Sequence, residues 1–361
     1  MSDNSTKRMI AMYEEDASAP LFLSGFFQSP PRNFHNSELI EIDVIREDEE
    51  VAIVVQDLTA GARANESNRY TNKGFTPPIF DEEGTIHAYD MIKRQPGVDP
   101  FQDPSFGATA LAQSFRIFRR LERKIRRAIE LMASQVFASG TLTLTDGAGT
   151  QLYGVDFSPK ATHFITTAAE WVLTGATGDP IADLAALADV IRKDGKKRPD
   201  ILVFGSSAMQ RFLANDKVKA VLDNRRIELG LVAPETRGEG ATFNGEVWIG
   251  NYKFQLWAYD GFYKDPVSGN PTEFVNPEHV LMLSSGGRLD LTFGAIPMIG
   301  PQAANALPFL PARIPLASGG LDLTTSSWFT NDRKHLKVSA GTRPLTIPTA
   351  IDTFGRIDVV P

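Results

Sequence analysis

The residues best equipped for chemistry in this chain crowd into one stretch, FRIFRRLERKIRRAIE at 115–130. Arg116, Arg119, Arg120, Arg123, Lys124, Arg126 and Arg127 stand there beside only two acids, Glu122 and Glu130. Guanidinium and ammonium groups at this density have three uses. They neutralise a phosphate backbone, pair with an acidic segment of a neighbouring subunit, or face water with partners one helical turn away. Reading DNA sequence would need a recognition helix on a compact helical module, and the surrounding segments are β-rich. The acids of residues 38–50, seven against the single Arg46, form one candidate partner for the cations and otherwise a charged strand edge.

Convergent catalytic groups are missing from the sequence. The five histidines, His35, His87, His163, His279 and His335, show no HExxH spacing. The GSSAM stretch at 205–209 lacks the second glycine of a nucleophile elbow. GKK at 195–197 has Val190 where the first glycine of a phosphate loop belongs. GAG at 147–149 falls in a turn rather than before a helix. Asp81, Glu82 and Glu83 are adjacent carboxylates of the kind any acidic loop supplies. The absence of cysteine removes disulfides and thiolate chemistry. The expectation is a non-enzyme with no cofactor and no metal site.

The elements that must position the basic stretch follow from pattern. Leu111, Phe115, Phe118, Leu121, Ile125, Ile129, Met132 and Val136 recur at three- and four-residue steps, the stripe of a long amphipathic helix over about 105–138. Asp103, Pro104 and Ser105 suit its start and Gly140 its end. Upstream, PLFLSGFF at 20–27 reads as a buried anchor behind a short polar arm. Ile40, Ile42 and Val44 alternate with acids as in a half-buried strand, and VAIVVQ follows as a second. Residues 56–90 hold no hydrophobic period, which suits a two-stranded excursion that packs on another subunit. GTLTLTDGAGTQLYGVDF predicts a hairpin, 179–216 a helix–strand–helix unit, and 335–360 two or three closing strands. No run of about 18 apolar residues crosses a membrane, and the N-terminus shows no signal-peptide core. The net charge of −7 over 361 residues sets the chain apart from dedicated DNA-binding proteins.

In order and wording the chain resembles the lambda-type tailed-phage major capsid proteins. PLFLSGFF, GFTPPIF, DPFQDP before the basic helix and the closing TRPLTIPTAIDTFGRIDVV carry the likeness, over roughly 20–105 and the last 30 residues. Between them only the order of elements corresponds. The resemblance implies an α+β chain with the tailed-phage capsid fold: a long spine helix, a β-sheet peripheral domain, an extended β-hairpin loop and an α/β axial domain. Residues 1–37 would be an N-terminal arm. Residues 38–174 would be the peripheral domain, with the extended loop at about 50–92 and the spine helix at about 105–138. Residues 175–325 would be the axial domain, and 326–361 strands returning to the peripheral domain.

The function so implied is a major head protein that self-assembles through pentamers and hexamers into an icosahedral shell around a double-stranded DNA genome. Implied partners are further copies of itself, a separate scaffolding protein, a decoration protein, a portal and non-specifically held DNA, with no membrane. Assembly would occur in the host bacterial cytoplasm, and the product would be the virion capsid. The seven cations of the helix would face the interior or a neighbouring subunit. Arg63, Arg69, Tyr70, Lys73 and Phe75 would make the extended loop's contacts between subunits, and Lys73 is the sole candidate lysine there for a covalent cross-link of the kind some relatives form. The alternative is an encapsulin-like cellular compartment shell holding enzyme cargo.

Overall fold

The computed structural model describes residues 21–35, 37, 39–45, 70–92, 106–172, 178–222, 230–236, 240–296, 322–330 and 334–361. A 34-residue helix, Phe106–Ser139, is its longest element, about 50 Å at 1.5 Å per residue. Its buried side runs through Ala110, Ser114, Leu121, Ile125, Ile129, Met132 and Val136. Phe115, expected on that stripe, is 46% exposed. The neighbouring Ser114 takes the inward position and returns its hydroxyl to the Ala110 carbonyl at 2.8 Å.

The helix stops at Gly140, whose φ is +66° and whose N–H donates to the Val136 carbonyl at 2.7 Å. A Cβ at that position would lie 2.5 Å from the Pro159 ring. Both the left-handed backbone and the close approach therefore require glycine. The expected start, Asp103 to Ser105, lies outside the described residues.

One face of the helix lies on a three-stranded antiparallel sheet in which His335–Thr342 is central, flanked by Thr324–Phe329 and Phe80–His87. Ile86, Leu336 and Val338 point from it to Ala110, Ile117 and Phe118. The hairpin Thr141–Thr145 with Gln151–Asp156 follows the helix, as its alternation predicts. The pair Asp290–Phe293 and Pro344–Ile347 closes the main apolar cluster around the helix's C-terminal half.

A seven-stranded mixed sheet forms the second layer. Its order is Phe164–Thr166, Phe354–Asp358, His279–Leu283, Ile201–Phe204, Tyr252–Tyr259, Ala241–Ile249 and Gly230–Thr236. Ile201–Phe204 is buried throughout, as a continuous apolar run in the middle of a covered sheet must be. Helices Pro180–Gly195, Ser206–Ala214 and Asp216–Leu222 pack around a separate apolar cluster on this sheet. Asp179 caps the first of them, accepting from the Ala182 N–H at 3.1 Å.

The closing strands divide between the two layers. Strands His335–Thr342 and Pro344–Ile347 lie with the long helix, but the last strand, Phe354–Asp358, inserts between Phe164–Thr166 and His279–Leu283 in the seven-stranded sheet. Gly355 explains how: a Cβ there would meet the His163 carbonyl oxygen at 2.6 Å and Leu187 at 3.2 Å, so bare backbone is needed between the loop and the helix. The expected strand VAIVVQ and the first part of the expected extended loop, up to residue 69, fall within 46–69, outside the described residues. The strands flanking that span, Ile40–Ile45 and Tyr70–Phe75, pair antiparallel with Ile40 opposite Phe75 and Ile45 opposite Tyr70.

Candidate functional site: the long helix, its cations and its buried acid

The helix spreads its seven cations over unlike surroundings. Lys124 reaches across to Glu82 of the three-stranded sheet, 2.6 Å away. Arg126 forms a two-pronged pair with Asp322, Nη1 to Oδ1 at 2.9 Å and Nη2 to Oδ2 at 2.6 Å, with Glu122 one turn back at 3.7 Å. The Asp322 hydrogen bonds raise the Arg126 pKa above its ordinary value. Arg116, Arg123 and Arg127 have interactions of their own. Arg119 and Arg120 are exposed, and among the described residues neither is in an ion pair. The expected continuous basic face is thus partly spent inside the chain, and its outward remainder centres on Arg119 and Arg120. Among the described residues, Glu82 of the acidic triplet at 81–83 and Asp322 meet the helix cations, whereas most of 38–50 offers no described side chain.

Of the five residues expected to make loop contacts, Arg63 and Arg69 lie outside the described residues. Tyr70 and Lys73 have backbone positions on Tyr70–Phe75, opposite Ile45 and Ile42. Phe75 is half-buried in its own chain, its ring centroid 5.4 Å from that of Phe157. It holds the base of the strand pair to the core, a role within the chain that sits beside the expected contact between subunits.

Glu130, the acid that closes the basic stretch, is the residue sequence reasoning missed. It is fully buried. One carboxylate oxygen accepts from the Leu23 N–H at 2.7 Å and the Tyr259 hydroxyl at 2.9 Å, and the other from the Ser24 N–H at 2.9 Å. Three parts of the chain meet at this group: the long helix, the PLFLSGFF anchor and the strand Tyr252–Tyr259. Leu23 and Phe27 are buried beside it, and Phe22 sits 5.4 Å from the Tyr259 ring. Burial pushes the Glu130 pKa up, against the opposing pull of its hydrogen bonds. Burial together with the adjacent carboxylate pushes Tyr259 up as well, so its hydroxyl stays protonated and donates. A signal was present in the sequence: Ala133 and Phe137 follow Glu130 at three and seven residues, and both are fully buried.

Arg343 is a second buried charge. Its Nε and Nη2 donate to the Pro77 carbonyl at 3.3 and 3.2 Å, and its Nη1 to the Ala295 carbonyl at 3.0 Å. It ties the closing strands to the segment entering Phe80–His87 and to the end of Asp290–Phe293. The guanidinium also acts on Tyr153, whose pKa burial lifts to about 12 while Arg343 pulls it down.

Beside the helix runs an open groove of about 1930 Å³. Ile125, Ala128 and Leu131 form its floor, and the hairpins at 141–156 and 262–273 its walls. Ile79, Leu152 and Phe262 line it and are largely exposed. Apolar surface clustered in this way marks a contact region more than an ordinary monomer surface.

A family model described as phage major capsid protein E matches residues 5–359. Among solved structures, a chain described as a capsid protein of a prophage of E. coli CFT073 is similar at 17% identity and a TM-score of 0.64, covering 95% of this chain and 94% of that one. The capsid of Ralstonia phage GP4 is similar at 9% identity and a TM-score of 0.50, covering 99% and 91%. A chain of Gordonia phage Cozz has 9% identity and the same TM-score, covering 98% and 90%. No curated protein matches the sequence.

Proposed function

This chain belongs to the phage major capsid protein E family, and we propose that Arg119 and Arg120 present the part of its basic helix that serves the assembled head. The chain is a major capsid protein with the tailed-phage capsid fold, a structural subunit of an icosahedral phage head. Within that role its copies meet as pentamers and hexamers and close around double-stranded DNA. Closure multiplies many weak interfaces, so no single contact needs high affinity. The open apolar groove suits a subunit whose packing is completed by its neighbours. A separate scaffolding protein, a decoration protein and a portal complete the set of partners, and assembly takes place in the host cytoplasm.

The observation that carries this reading is the exposure of Arg119 and Arg120 without an ion pair among the described residues, on the helix that organises the fold. Cations so placed meet carboxylates of a neighbouring copy or phosphates of the genome, the second through a salt-dependent attraction without sequence reading. Replacing both with glutamate should leave subunit stability within about 0.5 kcal/mol, because neither side chain is packed. The yield of DNA-filled particles should fall about tenfold or more, since reversed charge converts attraction to repulsion. Normal titre and normal DNA content in that double variant would return these arginines to the role of a solvated face.

A further inference from the structure

We propose that His87 and His335 form a binding site for one divalent transition-metal ion of the copper, nickel or zinc class. The two residues face each other across the strands Phe80–His87 and His335–Thr342. The Ala88 N–H donates to the Lys334 carbonyl at 2.8 Å, which makes 87 and 335 a non-hydrogen-bonded pair of the antiparallel ladder. Such pairs bring the two Cα atoms to about 4.5 Å and send both side chains out of the same face. Their ring centroids are 4.7 Å apart with planes at 80°. Imidazoles bound to one ion at about 2.0–2.1 Å and at adjacent positions have centroids roughly 4.5–5.2 Å apart. The observed spacing already falls in that window.

The surroundings permit entry of an ion. His87 is exposed and His335 half-buried, on the face of the sheet opposite the one that packs on the long helix through Ile86, Leu336 and Val338. Lys337, two residues along on that outer face, is held by Glu83 at 2.7 Å, so its charge is neutralised locally. No group of three or more His, Cys, Asp or Glu suited to a metal occurs among the described residues. Affinity for a pair of imidazoles follows the order in which copper binds most tightly. Bound there, it would clasp the outer strand Phe80–His87 to the central strand at the end where both leave the sheet. This proposal rests on the strand register and does not depend on the reading of the basic helix.

The test is calorimetric titration of the untagged full-length chain with Cu2+, alongside His87→Gln and His335→Gln. Trp328 stands opposite Lys337 on the same outer face, so partial quenching of tryptophan fluorescence by Cu2+ should accompany binding. The expected result is one ion per chain in the wild type, reversed by a chelator. Each variant should weaken binding at least tenfold, the smaller end of what even outer partners of a metal ligand contribute, with an unchanged circular dichroism spectrum. Should one variant misfold, the other decides. Wild-type protein that takes up no ion, or a folded variant that binds as the wild type does, would overturn the site.

Discussion

Glu130→Ala is expected to destabilise the unassembled subunit by about 2–4 kcal/mol, through three donors left without an acceptor in a buried site. The Leu23 and Ser24 N–H groups and the Tyr259 hydroxyl now share one carboxylate. Without it the PLFLSGFF anchor loses its polar tie to the helix and keeps the apolar contacts of Phe22, Leu23, Phe26 and Phe27. Hydrogen exchange at the Leu23 and Ser24 amides should quicken selectively, ahead of amides in the middle of the helix. Glu130→Gln should cost less, since one acceptor oxygen remains while the amide nitrogen opposes a backbone donor. The pH dependence has a definite sign. The folded state raises the Glu130 pKa, so it holds a proton more firmly than the unfolded chain does. The corresponding stability is present at low pH and is lost as pH rises from the ordinary carboxylate range through the raised value. Wild type should therefore gain stability relative to Glu130→Gln on acidification through that window. Denaturant titrations at several pH values measure both effects. Equal stability of Glu130→Ala and wild type, with both amides still protected, would remove Glu130 from this role.

Arg343→Ala should be nearly as damaging, at about 2–4 kcal/mol, because it removes the guanidinium from one buried and one half-buried carbonyl and takes away a large side chain that is almost wholly enclosed. Arg343→Lys should rescue little. A lysine presents one ammonium on a flexible stem, whereas the planar guanidinium reaches Pro77 and Ala295 in two directions at once. Thermal unfolding of the three proteins, with the Arg343→Lys midpoint close to that of Arg343→Ala, checks the geometry. A lysine variant as stable as the wild type would mean that charge alone suffices.

These two residues show where sequence reading reached and where it ended. The long helix was legible because Leu121, Ile125, Ile129, Met132 and Val136 repeat at helical spacing, and because Gly140 stands where a left-handed residue is needed. The hairpin at 141–156 and the buried strand Ile201–Phe204 were legible for the same local reason. Phe115 was placed wrongly because the stripe allowed either 114 or 115 to face in, and the fold buries the serine, whose hydroxyl is satisfied within the helix by the Ala110 carbonyl. Glu130 was hidden because its partners lie 107 and 129 residues away in sequence. Arg126 was read as outward for the same reason, its partner Asp322 being 196 residues distant. The histidines looked scattered along the chain, yet strand register sets His87 against His335. Period and turn chemistry are local and survive in one dimension, whereas the pairing of buried charges is settled only by the fold.

The most direct test of the central claim is electron microscopy of the full-length chain produced together with the neighbouring head-assembly genes. The expected particles are closed shells of uniform size whose surface resolves into five- and six-fold clusters of this subunit, with the long helix of each copy packed on its own three-stranded sheet. Dispersed monomers, with no shells at any stage of expression or purification, would contradict it.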